Sequence, residues 1–368
     1  MTEPKCEFYG KCGGCSLQHV EYNLQIKNKV EMLKKAINFE DVNVFYLNPF
    51  NYRNRMDFIF HKNGLGLREK GKWYSIVNID ECKIADERIN ELIKEIKEFF
   101  KEIDAFDVKK HTGTFRFAVI RATKQDSSIS FVLNADSTKI KHAVDKIKDF
   151  AKDTTAKNVI VTYVKHNSDV SISNDYFVVK GKDMIEEVLL GKRFMFSVQG
   201  FFQNNTAMAE QMHKYVSSLL KNEKGQLVDL YAGVGTFGII NSEYFDKIIL
   251  VEEFQGSVDA AKMNIKLNNV NNAEAICLDA KNLKKINVGK DFVLVCDPPR
   301  SGMHPKTIKT INELAPKKIV YISCNVKQLE KEIKQLPEYK ISSAALFDLF
   351  PQTKHFESVV ELDKNIVI

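Results

Sequence analysis

The residue types able to do chemistry fall in three places. Cys324 ends the apolar run KIVYISC and is followed by Asn325 and the helical stretch VKQLEKEI. A thiol inside a strand is usually packing, which is how Cys277 and Cys296 read. A thiol at the carboxyl tip of a strand lies where open α/β sheets bind their ligands. The N-terminus of the following helix favours a thiolate there, so Cys324 is a candidate nucleophile. The second place is LVDLYAGVGTFG, where Gly233, Gly235 and Gly238 form G-x-G-x-x-G after an apolar strand. Glu252 ends the next strand, placed to accept ribose hydroxyls. Glycines alone would only make a turn; strand, glycines and acid together describe a Rossmann-like nucleotide site. Asp229, inside the first strand, can support the glycine loop. Asp279, ending the third, can reach an adenine or cap a helix.

The third place is the start of the chain. Cys6, Cys12 and Cys15, with the distant Cys82, follow C-x5-C-x2-C plus one. Four thiolates suit Zn2+ or a [4Fe–4S] cluster. Two C-x-x-C pairs would favour zinc, and only one is present. The seven cysteines are odd in number and unevenly spaced, which argues against a disulfide framework in a reducing compartment.

These groups need scaffolds. A chain of 368 residues is long enough for two domains. YNLQIKNKVEMLKKAI has the apolar spacing of a helix. From about Tyr52 the pattern turns to strands, with Asn63-Gly64 as a hairpin signal. A helix is expected over 86–103, strands at 115–123 and 128–135, a Lys-rich helix over 139–151, and strands at 158–164 and 177–180. After about Phe196 short apolar strands alternate with helices, the grammar of a parallel, doubly wound sheet. The end, from Ile341, reads as two longer antiparallel strands at its edge. The expected division is a cysteine loop over 1–20 with Cys82, an α+β central domain over 21–195, and a Rossmann-like α/β domain over 196–368. The glycine motif does not separate NAD from S-adenosylmethionine. Its place in the second half, with Asp297-Pro298-Pro299-Arg300 at the fourth strand tip, favours S-adenosylmethionine.

SVQGFFQNN, DLYAGVGTFGI, DPPRSG, YISCN and FPQTKHFE occur in this order, and over nearly its whole length the chain resembles the RNA (uracil-5-)-methyltransferase family. The resemblance implies a class I methyltransferase domain and methylation of uridine C5 in RNA. It implies that Cys324 adds to uracil C6 and that Glu357 removes the C5 proton. Gln203 matches a glutamine beside cofactor and uracil, and Phe201 an aromatic that stacks on the flipped base. Core packing is the competing reading for Phe201. Tyr231, Gly233, Gly235, Thr236, Glu252, Asp279 and Asp297 match cofactor or uracil contacts, although Asp279 and Thr236 stand where relatives often have Asn. The cysteine spacing resembles the family's [4Fe–4S] site, with zinc as the alternative.

Arg53 and Arg55 in YRNR resemble an RNA-contacting segment. Arg116 and Arg121 alternate along FRFAVIRAT, and arginine suits phosphate and base stacking. Many relatives carry a small β-barrel RNA-binding domain before the cysteines; with a cysteine at residue 6, none is expected here. RNA is the expected partner, 23S ribosomal RNA ranked just ahead of the T-loop uridine of tRNA. A surplus of six basic over acidic residues permits that partner without demanding it. With no signal pattern and no apolar run of ~20 residues, the chain reads as a cytoplasmic protein with no membrane contact, and as a monomer. A DNA amine methyltransferase would need no Cys324 and would carry an aromatic where Arg300 stands. An RNA cytosine-5 methyltransferase would place its cysteine beside Pro298, and Cys296 is one residue too early. An iron–sulfur RNA-binding protein without catalysis would have lost a glycine, Cys324 or Glu357, and all are present.

Overall fold

The period-two run RMDFIFH puts Met56, Phe58 and Phe60 on one face, and all three are buried. That strand belongs to the first of two units described by a computed structural model covering residues 2–289 and 291–365. One unit comprises residues up to Glu21, Asn48–Glu187 and Ser197–Asn205; the other comprises Tyr22–Leu47, Val188–Phe196 and the chain from Thr206 onward.

In chain order, α1 (Tyr22–Ile37) and β1 (Val42–Phe45) belong to the second unit. The first is built from β2 (Arg55–His61), β3 (Gly64–Glu69), β4 (Lys72–Asn78), α2 (Glu87–Phe99), β5 (Phe115–Ala122), β6 (Ser127–Asn134), α3 (Ile140–Asp153), β7 (Asn158–Val164) and β8 (Tyr176–Lys180). Its seven strands run β4-β3-β2-β5-β6-β7-β8, antiparallel except for β6 beside β7. Parallel neighbours need a crossover, and α3 supplies it. Ile89, Leu92, Ile93 and Ile96 of α2 and Ile147 and Phe150 of α3 bury against Phe58, Phe60 and Phe131. The β2–β3 turn is Lys62-Asn63, because Gly64 already pairs with His61; the turn falls one residue earlier than Asn63-Gly64 suggested.

The chain passes between units at the hairpin β9 (Met184–Leu189) and β10 (Lys192–Ser197), which the sequence pattern did not reveal. The second unit continues with α4 (Thr206–Leu220), β11 (Gln226–Leu230), α5 (Thr236–Ile240), β12 (Lys247–Glu252), α6 (Gln255–Leu267), β13 (Ala273–Cys277), β14 (Val293–Cys296), α7 (Pro305–Leu314), β15 (Lys318–Ser323), α8 (Val326–Ile333), β16 (Tyr339–Phe347) and β17 (Glu357–Lys364). Its sheet runs β1-β16-β17-β15-β14-β11-β12-β13, parallel but for β17, which is antiparallel to both its neighbours. The long terminal pair forms as expected, but the edge beyond it is β1, with Val42 opposite Ala344 and Phe45 opposite Phe347. Residues 22–47 therefore fold with the second unit rather than with a central domain over 21–195. Leu33 and Ile37 of α1 are buried in the second unit's core.

One face of α1 is polar where it is buried. Lys29 Nζ lies 2.6 Å from Asp348 Oδ1, with the two side chains 2% and 0% exposed. Lys29 also donates to Phe350 O at 3.3 Å, Tyr22 Oη donates to Asp348 Oδ2 at 2.8 Å, and Gln25 Nε2 donates to Gln352 Oε1 at 3.0 Å. These bonds latch α1 to the loop between β16 and β17. Burial lowers the Lys29 pKa and raises that of Asp348, each opposed by attraction to the other. Removing one member of such a pair leaves the other charge buried alone. Lys29→Met is expected to cost about 3 kcal/mol in urea unfolding, and Lys29→Met with Asp348→Leu to recover most of it. Equal losses in single and double variants would contradict the pairing.

Candidate active site

Asp297 follows β14, Cys324 follows β15, and Glu357 opens β17. These strands are neighbours, with Cys296 opposite Tyr321 and Ser323 opposite Ser358. Strands in a sheet lie ~4.8 Å apart, so the three side chains start from one short stretch of the sheet's edge. Ser358 Oγ donates to Ser323 O at 3.1 Å and fixes the two ends together. Glu357 is buried, and its Oε2 has no hydrogen-bond partner among the described residues. Burial, then the charge of Asp297, raises its pKa well above the ordinary carboxylate range. Burial likewise lifts Asp297 to about 7. Near neutrality this pair does not readily carry two negative charges.

Cys324 feels the same field. Its pKa rises to about 11, first from burial and then from the Glu357 and Asp297 carboxylates, with Arg300 opposing. The sequence pointed to a thiolate favoured by the N-terminus of α8. In the structure, burial and two acids outweigh that influence and push the thiol pKa up. Asn325 instead caps α8, accepting from Lys327 N at 3.2 Å, and donates through Nδ2 to Arg300 O at 2.9 Å. Glu332 of α8 accepts from Met303 N at 3.0 Å and from the Tyr321 hydroxyl. Arg300 Nη2 donates to His355 Nδ1 at 3.2 Å. The loops carrying DPPR, SCN and KHFE are thus bonded to one another.

Beside them lies a nucleotide cradle. Gly235 has φ +87° at the start of α5, a conformation L side chains rarely adopt. A Cβ on Gly238 would stand 2.3 Å from Leu250 of β12, so only glycine lets α5 pack so closely. Asp229 Oδ2 accepts from Gly238 N at 2.9 Å, while its buried Oδ1 is unpartnered among the described residues and burial raises its pKa to about 7. Glu252 accepts from Gly233 N at 3.0 Å and from Phe254 N at 2.9 Å. Tyr231 bends the strand end with φ 64°, and Thr236 opens α5. Asp279 caps the 3-10 turn Ala280–Lys285, accepting from Lys281 N at 2.9 Å; of its two readings, the capping bond is the one formed. Asn264 went unnoticed in the sequence. Buried in α6, it donates to Val234 O at 3.1 Å and to Met195 O, so it braces the glycine loop. A lone Asn in a helix gave no signal of that.

The remaining predicted residues belong to the first unit. Phe201 is 70% exposed, which excludes core packing. Its segment is pinned from beneath: Asn54 Nδ2 donates to Gln203 O at 3.0 Å, Asn54 N to Asn204 O at 2.9 Å, and Arg121 to Gly200 O at 2.8 Å. Arg116 and Arg121 are corrected by this structure. All eight residues of β5 are buried; Arg116 donates to the carbonyls of Lys165, His166 and Ser168, and burial lowers Arg121 to about 9. They organise loops and present no face to RNA. Arg53 and Arg55 keep partial exposure and line a cavity of about 650 Å³ with Phe201, Cys6, Cys12, Cys15 and Cys82, although Arg55 is paired with Asp57 at 3.0 Å. The four thiols share that cavity, but among the described residues no group of three or more His, Cys, Asp or Glu is arranged to hold a metal ion.

The sequence matches the profile described as tRNA (uracil-5-)-methyltransferase over residues 21–365. The chain belongs to this family. It is 35% identical over 364 residues to the tRNA (uracil(54)-C(5))-methyltransferase of Pyrococcus abyssi, covering 98% of this chain and 85% of that protein. An uncharacterized RNA methyltransferase of Caldanaerobacter subterraneus subsp. tengcongensis is 32% identical, covering 99% of this chain and 85% of the relative. Among solved structures, the Pyrococcus abyssi tRNA (uracil-54, C5)-methyltransferase in complex with S-adenosyl-L-homocysteine superposes with TM-score 0.80 at 31% identity, covering 95% of this chain and 86% of that one. The second unit is accordingly a Rossmann-like methyltransferase domain, and this family member is an S-adenosylmethionine-dependent RNA uracil-C5 methyltransferase. No helix among the described residues is long and apolar enough to cross a membrane.

A thiol held near a pKa of about 11 reacts slowly at neutral pH and keeps gaining reactivity where a free cysteine has levelled off. Iodoacetamide labelling of Cys324, followed by peptide mass mapping, is expected to climb with pH beyond the plateau of a free cysteine peptide labelled alongside it. Coincident profiles would show that the two carboxylates do not govern the thiol.

Proposed function

We propose that this enzyme methylates C5 of uridine 54 in the T-loop of tRNA, with Cys324 as nucleophile and Glu357 as base. The observation that carries the chemistry is the meeting of Cys324, Asp297 and an unpartnered Glu357 oxygen at adjacent strand ends. The RNA target rests on the substrate named for the Pyrococcus relatives. Ribosomal RNA stood first on sequence grounds; the Pyrococcus relatives are named for tRNA, so the reading moves to tRNA.

Cys324 releases its proton to solvent, and its sulfur adds to uracil C6, which makes C5 nucleophilic. S-adenosylmethionine, when bound, would supply the electrophilic methyl for C5 and leave as S-adenosylhomocysteine. Glu357 Oε2, ionised at that step, then takes the C5 proton, and the C6–S bond breaks to return the thiolate, which regains a proton from solvent. The raised pKa of Glu357 suits it to hold that proton. Asp297 keeps the pocket acidic beside the ring. Tyr231, Gly233, Gly235, Thr236 and Glu252 hold the cofactor, Asp279 lies at its adenine end, and the exposed ring of Phe254 beside Glu252 offers an apolar wall. Phe201 stacks on the extruded uracil and Gln203 orients it; Arg53 and Arg55 contact the RNA.

The four cysteines fit an iron–sulfur cluster in kind. They are thiols lining one cavity, and Cys12 Sγ accepts from Gly14 N at 3.4 Å, as cluster sulfurs do from backbone donors. They are not gathered as ligands in this structure, so cluster assembly would have to draw them together. Such a cluster would tie the N-terminal loop, already bonded through Gly13 N to Arg68 O at 3.0 Å, to β3.

Labelled methyl transfer to a tRNA transcript and to 23S fragments, with nucleoside mass analysis, tests the reading. 5-Methyluridine at position 54 of tRNA is expected; label only in the 23S fragments would reverse the target. Glu357→Gln is expected to accumulate a denaturant-stable protein–RNA adduct that Cys324→Ala abolishes. Protein purified without oxygen is expected to be brown and to carry iron and sulfide, whereas colourless protein containing zinc would overturn the cluster.

A further inference from the structure

Trp73 is the protein's single tryptophan, and it is 59% exposed. Tyr74 beside it is 44% exposed, and the two rings meet edge to face at 5.7 Å and 88°. Successive strand residues normally face opposite sides. Here β4 is an edge strand with a register shift opposite Arg68 and Glu69, and both rings stand in solvent. The patch is braced. Arg68 Nη1 donates to Trp73 O at 2.6 Å while Nη2 binds Asp169 at 2.7 Å. Asp107 Oδ1 accepts from the backbone of Lys109 at 2.9 Å and of Lys110 at 3.1 Å, and Lys109 Nζ sits 3.9 Å above the Tyr74 ring.

We infer that Trp73 and Tyr74 form a stacking platform for an unpaired nucleotide of the substrate RNA, distinct from the uridine that is methylated. The proposal rests on the enzyme's acting on RNA. Two braced aromatic faces suit bases of any identity, because stacking is tolerant of sequence. The surroundings match phosphate: Lys70, Lys72, Lys109 and Lys110 are exposed, while the nearby acids Glu69 and Asp169 are already engaged with Lys72 and Arg68. Lysine is depleted at the cores of protein–protein interfaces, so exposed lysines close to two aromatics, with Lys109 over the Tyr74 ring, favour nucleic acid over a protein partner. Phe201, the platform assigned to the reacting base, lies in a different segment of the unit, Ser197–Asn205.

The single indole makes the test direct. Emission excited at the red edge, where the tyrosines do not absorb, reports Trp73 alone. Titrating the wild-type protein with a tRNA transcript that it methylates under the same conditions is expected to quench that emission. Trp73→Ala is expected to raise KM for the RNA roughly ten-fold while kcat at saturating RNA holds, and Trp73→Phe to restore most of the affinity. Methylation of the transcript with no change in emission and an unaltered KM in Trp73→Ala would overturn the platform, leave the patch to a protein partner, and leave the enzyme's RNA activity standing. Equal quenching by heparin, a polyanion without bases, would assign the signal to charge and overturn stacking. A transcript neither methylated nor able to quench would bring down both readings.

Discussion

The proposed pairing of Cys324 with Glu357 depends on β17 running against its neighbours. Cys324 stands at the end of β15, and Glu357 stands at the start of β17. Only an antiparallel strand brings its start to the edge where parallel strands end. A parallel β17 would deliver its last residue there and leave Glu357 at the far side of the sheet. The Ser323–Ser358 register sets this arrangement, and the bond from Ser358 to the Ser323 carbonyl holds it at the point where the chain leaves both strands. The Lys29–Asp348 pair then fixes the loop through which β16 turns back into β17.

That geometry carries an electrostatic cost with a use. Three acids stand near one edge, Asp229 and Glu357 buried and Asp297 half-buried, and desolvation raises each of them. Isolated carboxylates in such surroundings give up their charge by taking protons. An acid held near neutrality is suited to receive a proton and release it again. The same field raises the pKa of Cys324.

The parts of this design that depend on local pattern were legible in the sequence. Strand–glycine–helix placed the nucleotide cradle, and the strand tip placed Cys324, because both signals lie within a few residues of their effect. Arg116 and Arg121 were misread because alternation along a strand separates two faces without saying what covers them. Both faces of β5 are covered, and its arginines became anchors for loops. The helix α1 and strand β1 were assigned to the wrong unit because what decides their place is a sheet partner distant in the chain. Asn54 and Asn264 carried no signal at all, since their work is to satisfy carbonyls that only the folded loops present.

The pairing of β1 with β16 also has a temporal meaning. Asn43 and Ala344, joined across that pair, are 301 residues apart. On a ribosome, β1 and the apolar face of α1 emerge long before the strand that will cover them. The first unit has all its strands before β16 exists and can fold early as a module. The methyltransferase sheet cannot complete its edge until β16 and β17 have been made. Cys324 and Glu357 therefore come together among the last events of synthesis, and an incomplete chain would hold the first unit without that pairing.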